Sequence, residues 1–161
     1  MLSAIAATTL NRVIGTRGKL PWCLPRETQY FRELIKPYTV IAGGRTWRSI
    51  PKPLVTKESW ILTRQNLANY ASPNARIFHD SATLITALKE SKRQFMVIGG
   101  GEIYQLLWPW ISELYLTVIL AQPPGDTFLS TLNHFKPKLI SGPQQASGLV
   151  YYFTYWQRIK V

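Results

Sequence analysis

Continuous runs of β-forming apolar residues recur along this chain, interleaved through the first 120 residues with segments of helical character. The runs are LSAIAAT (2–8), TVIAG (39–43), SWILT (59–63), RIFH (76–79), QFMVIGG (94–100) and ELYLTVILA (113–121). Apolar residues at consecutive rather than alternate positions belong to strands covered on both faces, and crossovers through helices make neighbouring strands parallel. Pro25 opens one such helix, because its missing N–H is not needed in a first turn. Pro37 ends it near Ile35 by biasing Lys36 away from helix. RTWRSI (45–50) is a short helix stopped by Pro51 and Pro53, Ser81 is the expected N-cap of ATLITALKE, and EIYQLLW (102–108) stops at Pro109. IGTRGKLPWC (14–23) reads as a loop. Beyond residue 121 two strands, near 137–141 and 149–159, follow without a helix between them, which predicts a hairpin added at a sheet edge. The pattern predicts an α/β fold with a mostly parallel sheet, and 161 residues without repeat or linker suit a single domain over 1–161.

Composition narrows the chemistry. The lone Cys23 excludes a disulfide framework or a zinc site of cysteine pairs, and His79 and His134 lie too far apart in sequence to suggest a metal cluster, so no metal is expected. No apolar run approaches the ~20 residues that cross a bilayer, so no membrane partner is expected. With one thiol and no basic segment ahead of the first apolar stretch, the expected compartment is the cytoplasm. The charge is uneven: residues 1–64 carry eleven Lys and Arg against three Glu. Such a field concentrates anionic ligands, among them nucleic acid, a phosphorylated cofactor or a carboxylated substrate.

Three features carry chemistry. Glu27, Phe31 and Leu34 share one helical face at i, i+4 and i+7. A carboxylate on an apolar face is costly unless partnered. It is either a rim acid complementing the helix N-terminus or the floor of a cleft, where burial raises its pKa and suits it to proton traffic. VIGGGEIY (97–104) runs a strand through three glycines into a helix, which lets backbone approach a pyrophosphate; a plain tight turn has the same pattern. GGRTW (43–47) repeats it after a second strand, and ILTR (61–64) ends a third in a hydroxyl and an Arg.

IGTRGKLPWCLPRETQYF (14–31) resembles the signature of the dihydrofolate reductases: Ile-Gly, a loop, Leu-Pro-Trp, Leu-Pro, an acid and Tyr-Phe. The AIAA strand (4–7), the 40–54 segment, ILT (61–63), VIGGG–IY (97–104), LYLT (114–117) and GDTF (125–128) match in order over nearly the whole chain. The resemblance implies a mixed eight-stranded sheet, mostly parallel with an antiparallel C-terminal edge strand, flanked by four helices. It implies reduction of 7,8-dihydrofolate by NADPH in tetrahydrofolate biosynthesis and one-carbon metabolism. Glu27 would then meet the pterin, Thr117 would anchor its carboxylate, and Trp22 would hold a water and help close the site, with loop 14–23 as lid. Ile5, Ala7, Thr28, Phe31, Ile50, Leu54 and Ile98 would line the substrate pocket, with Arg32, Lys52 and Lys57 toward its charged tail. The cofactor would meet Ala7, Ile14, Gly15 and Leu20; Gly43, Gly44, Arg45 and Thr46; Leu62, Thr63 and Arg64; and Ile98, Gly99, Gly100, Gly101, Glu102, Ile103 and Tyr104. A cis link is implied between Gly99 and Gly100. Partners would be dihydrofolate and antifolate inhibitors, the protein would be a monomer, and nucleic acid is not expected.

Three positions depart from the family pattern. Lys57 stands for an Arg that grips the substrate's α-carboxylate and loses its two-pronged geometry. Gly44 stands for an Arg that contacts the cofactor's extra phosphate, a role Arg45 and Arg64 are placed to take. Thr28 stands for a large apolar residue, a lost contact of about 1–3 kcal/mol. Two other readings differ in class. A reductase of a related pterin or pyrimidine shares the fold but not the Leu-Pro-Trp and acid-helix pair. A basic nucleic-acid-binding module accounts for the charge but not for Glu27 or the glycine turns.

Overall fold

The computed structural model describes residues 1–66 and 72–160. In chain order the elements are β1 (Leu2–Thr9), β2 (Val13–Gly15), α1 (Pro25–Ile35), β3 (Thr39–Gly43), α2 (Gly44–Ser49), β4 (Glu58–Leu62), β5 (Ala75–Phe78), α3 (Ser81–Glu90), β6 (Phe95–Gly99) and α4 (Gly101–Leu107). A 3₁₀ turn (Trp108–Trp110) follows, then β7 (Glu113–Ile119), β8 (Thr127–Phe128), β9 (Phe135–Ile140), β10 (Gln144–Ala146) and β11 (Leu149–Arg158).

The main sheet runs β10-β11-β7-β1-β6-β3-β4-β5, with β9 also on β11. Pairings from β7 through β5 are all parallel; β11 runs antiparallel to β7 and to both short strands outside it. β10 covers residues 149–151 of β11 and β9 covers 154–158 on the same outer edge, so nine strands occupy eight positions. The expected eight-position, mostly parallel sheet with antiparallel C-terminal strands and four helices is observed. The outermost place belongs to β9 and β10 together rather than to one edge strand.

Alternation on the strands separates two cores. Ala4, Ala6, Ile41, Phe95 and Val97 face one side with Leu84 of α3 and Ile103, Tyr104 and Leu107 of α4. Ile5, Val40, Ala42, Ile61, Met96 and Ile98 face the other with Ile35, Phe31 and Leu34 of α1 and Trp47 of α2. Both faces are therefore dry, which is why these strands are apolar at consecutive positions.

Several local expectations are corrected. Ser81 is not the cap of α3: the Asp80 carboxylate accepts the Thr83 N–H at 2.8 Å and the Thr83 hydroxyl as well, leaving Ser81 in the first turn. Lys36 keeps helical angles (φ −49°, ψ −45°) although α1 stops at Ile35. Pro37 ends the helix by withholding a donor rather than by reshaping its predecessor. The 14–23 segment is not loop throughout: Val13–Gly15 pairs antiparallel with Thr127–Phe128, and Thr16 and Lys19 exchange backbone hydrogen bonds of 2.8 and 3.0 Å.

The order of the strands places a cleft. The sheet strand that follows β1 in sequence, β3, lies beyond β6, whereas the strand after β6, β7, lies on the opposite side of β1. Where successive crossovers leave in opposite directions, a crevice opens at the carboxyl ends of the two central strands. The register agrees: β1 pairs with β6 only from Leu2 to Ala4, while its ladder with β7 continues to Thr9.

β8 closes over this end of the sheet at van der Waals distance. A Cβ on Gly101 would lie 2.5 Å from Thr127 Cγ2. Thr is stiff at χ1 and cannot swing clear. Gly101→Ala is therefore expected to cost about 1–3 kcal/mol in denaturant unfolding. Thr127→Ser, which deletes that methyl, is expected to recover most of the loss in the double variant.

Candidate active site

Strand periodicity assembles the floor of the cleft. Ile5 and Ala7 point to the α1 side of β1, and Ala7 is in register with Thr117 of β7. α1 lies across them, and its first turn lowers Glu27 onto Thr117, whose hydroxyl donates to Oε1 at 3.3 Å. Glu27 is 8% exposed, the one buried carboxylate among the described residues. Burial pushes its pKa above the ordinary carboxylate value, and the Thr117 hydrogen bond opposes part of that rise. Burial first, and the negative charge of Glu27 second, raise the pKa values of the Tyr30 and Tyr104 hydroxyls. Tyr104 uses its proton to donate to the Ile5 carbonyl at 2.6 Å, in the stretch of β1 beyond its pairing with β6.

The predicted pocket side chains converge here. Phe31, Ile50 and Leu54, all half-buried, pack in one cluster with Ile5 and Ile98. Ala7 and Trp22 join the adjoining cluster around Leu24 and Tyr151. The buried indole N–H of Trp22 makes no hydrogen bond. A donor in that condition calls for a small polar partner. Thr28 is exposed beside the cleft, its hydroxyl turned back to the Leu24 carbonyl at 3.2 Å. Leu20, on the loop, is 57% exposed.

The two glycine turns meet at the other side of the crevice. Gly99–Gly100 is a cis peptide, as the resemblance implied, and Gly99 has φ +123°, open to glycine and closed to other residues. A Cβ on Gly100 would lie 2.9 Å from Thr46 Oγ1, and one on Gly43 would lie 3.2 Å from Ile103 Cγ1. Each turn's backbone thus faces the other helix's first residues, and neither helix start carries a side-chain cap. Gly43 is in register with Leu62, so Arg45 and Arg64, two residues further along each chain, leave the same end of the sheet, both exposed. Gly44 and Thr46 lie in the α2 turn, Thr63 follows β4, and Glu102 is exposed in the first turn of α4.

The cations near the expected tail site separate. Arg32 donates to the carbonyls of Pro51 and Pro53, and the Lys52 ammonium to those of Trp47 and Ile50. Lys57 is exposed just ahead of β4 and borders a cavity of about 340 Å³ walled also by Pro37, Thr39, Lys92 and Arg93.

Sequence reasoning assigned no role to the residues that hold the 14–23 segment. Asp126 accepts the Arg17 N–H at 2.8 Å, and Ser147, in the β10–β11 turn, donates to the Cys23 carbonyl at 3.1 Å. The signal for the first was present in GDTF, where an acid sits beside the glycine whose Cβ would lie 2.4 Å from Val13 Cγ1. Ser147 has no such signal, being one serine in a polar turn.

The raised Glu27 pKa has a definite sign in stability. Unfolded, the group ionises near its ordinary 4.5; folded, it keeps its proton to higher pH. The cost is absent below 4.5 and grows as pH rises until the folded group has ionised. Glu27→Gln is therefore expected to raise the thermal midpoint at pH 7 and not at about pH 4. Thr117→Val, which deletes the donor, is expected to move the Glu27 carboxyl titration, followed by ¹³C NMR, to higher pH.

The chain matches the dihydrofolate reductase family over residues 1–158. It is 37% identical over 131 residues to the dihydrofolate reductase of Haemophilus influenzae, covering 81% of this chain and 79% of that one. It is 29% identical over 150 residues to that of Bacillus subtilis, covering 89% and 84%. Among solved structures, dihydrofolate reductase from Enterococcus faecalis complexed with NADP(H) and RAB-propyl superposes with a TM-score of 0.80 over 99% of this chain and 97% of that one, at 24% identity. A buried acid at the crossover crevice, two facing glycine turns and a family match over almost every residue lead to one conclusion: this chain belongs to the dihydrofolate reductase family.

Proposed function

We infer that the protein reduces 7,8-dihydrofolate to 5,6,7,8-tetrahydrofolate with NADPH, an oxidoreductase reaction of one-carbon metabolism. The observation that carries this reading is the Glu27 carboxylate, buried at the crevice where β1 and β6 part. The fit of the cofactor rests on the turns: a backbone cradle that a Cβ at Gly100 would fill, two uncapped helix starts, and two exposed guanidinium groups at the same sheet end. When bound, NADPH supplies the hydride that goes to the pterin carbon, while the neighbouring nitrogen takes a proton.

The chain's own groups do the rest. Glu27 accepts from the pterin amino group and ring N–H in a bidentate, charge-assisted pair and so fixes the ring's orientation. Burial keeps its proton affinity high, which suits a site through which a proton must pass at neutral pH. Thr117 holds the carboxylate from the sheet side. The unpartnered Trp22 N–H is suited to hold a water between the carboxylate and the reacting nitrogen. Phe31, Ile50, Leu54, Ile5 and Ile98 exclude solvent around the rings, and the 14–23 segment covers the opening. Gly43, Gly44, Thr46, Gly99, Gly100 and Gly101 offer backbone to the diphosphate, and Arg45 and Arg64 take the additional phosphate. Lys57 anchors the substrate's tail carboxylate as a point charge.

No helix among the described residues is long and apolar enough to cross a membrane. The exposed Cys23 fits a reducing, cytoplasmic setting, and the family likeness is what supports a monomer that takes antifolate inhibitors.

Absorbance at 340 nm is expected to fall when dihydrofolate is added to purified protein and NADPH. Glu27→Gln is expected to lower kcat/KM at pH 7 by about 10²–10⁴-fold, with the deficit shrinking toward acid pH as solvent supplies the proton. Full activity in that variant would overturn the reading, and activity only with a different pterin or pyrimidine would favour the related-reductase reading. Cofactor choice gives a separate check: NADPH is expected to be preferred to NADH, and the double change Arg45→Ala and Arg64→Ala to remove most of the preference. Equal use of both cofactors by the unaltered protein would remove these residues from the phosphate site.

A further inference from the structure

The segment joining α2 to β4 delivers Ile50 and Leu54 to the substrate pocket, yet residues 50–54 belong to no helix or strand. Its shape is held by two cations. The Arg32 guanidinium reaches out from α1 and donates through Nη2 to the Pro51 carbonyl at 2.9 Å and through Nη1 to the Pro53 carbonyl at 3.1 Å. These acceptors bracket Lys52–Pro53, which is cis. From within the segment, Lys52 donates to the carbonyls of Trp47 at 2.6 Å and Ile50 at 3.0 Å, and its ammonium lies 3.8 Å from the centre of the Trp47 ring. Both cations thus already serve backbone carbonyls, whereas Lys57, further along, is exposed.

We propose that Arg32 is a positioning residue for substrate binding: by gripping the carbonyls of Pro51 and Pro53 from the helix that carries Phe31, it sets the distance across the pocket between Phe31 and the Ile50–Leu54 wall. This rests on the reductase reading of the same site. The planar fork matters because the two carbonyls are met from separate nitrogens, Nη2 and Nη1, of one rigid group, which fixes their spacing. Arg32 then acts on affinity for the rings through the loop, and Lys57 acts on the tail through charge. Two residues that resemble each other as surface cations have separable effects.

The separation is measurable with two substrates: dihydrofolate, and the neutral dihydropteroyl amide, which keeps both rings and has no carboxylate. Arg32→Ala is expected to raise KM by the same factor for both, about tenfold for the loss of two charge-assisted hydrogen bonds, with kcat affected less. Lys57→Ala is expected to raise KM for dihydrofolate and leave the amide unchanged. Arg32→Lys is expected to rescue only in part, since one flexible ammonium can reach carbonyls but does not fix their spacing as the rigid fork does. A KM increase in Arg32→Ala confined to dihydrofolate would make Arg32 a tail anchor and overturn the proposal. So would an unchanged KM for both substrates, or full rescue by Lys. Amide hydrogen exchange tests the same mechanism without turnover: Arg32→Ala is expected to speed exchange in the 50–56 segment while β1 and β6 are unaffected. Unchanged exchange there refutes the clamp even if neither substrate is reduced, whereas absence of NADPH oxidation in the unaltered protein refutes only the reductase reading.

Discussion

Taking one carboxylate out of water and meeting it with a single hydroxyl sets the terms for the rest of this site. Among the described residues Glu27 has one hydrogen-bonding side chain, Thr117, for two oxygens that can accept about four bonds. In the proposed function that remaining capacity is what a ligand with paired N–H donors would use. Keeping the acid there requires a stiff support. The support is central: β1 and β7 stay paired through Ala7 and Thr117, beneath a helix whose other inward residues are apolar. The opening beside it exists because β6 leaves β1 after Ala4. A ladder continued along that edge would close the cleft.

The two sides of the crevice solve different problems with different parts. On the substrate side, side chains make the surface, and their placement depends on elements that must not drift: α1, the strand floor and the clamped 50–54 segment. On the cofactor side, side chains are removed. Close approach of the β3–α2 and β6–α4 turns leaves backbone as the contact surface, with Thr46 lying against Gly100. Under the proposed function, packing would carry specificity for rings, and N–H groups with the exposed guanidinium groups at the rim would recognise phosphates.

Much of this was legible in the residues. Parallel strands buried on both faces write themselves as apolar runs, so β1, β3, β6 and β7 are plain, and helical spacing alone puts Glu27 beside Phe31 and Leu34. Features built from long-range backbone contacts were not legible. β2 and β8 are three and two residues long and pair across more than a hundred positions, too short for any periodicity. The Asp80 cap competed with an adjacent serine of equal propensity, and only the bond to Thr83 decides between them. Arg32 and Lys52 looked like spare positive charge near the tail, because composition records that a cation is present and not which carbonyls it already serves.

The outer rim of the sheet carries a further consequence. β9 is exposed along nearly its whole length, with Leu139 and Ile140 at 69% and 63%, and it leaves a row of backbone groups uncovered. A strand of that kind invites another chain to extend the sheet. Here Pro137 interrupts the row and Lys136 and Lys138 flank it with ammonium charge, so an incoming segment meets a missing donor and mutual repulsion. The protein thereby keeps apolar residues on this outer border while resisting extension of the sheet by another chain.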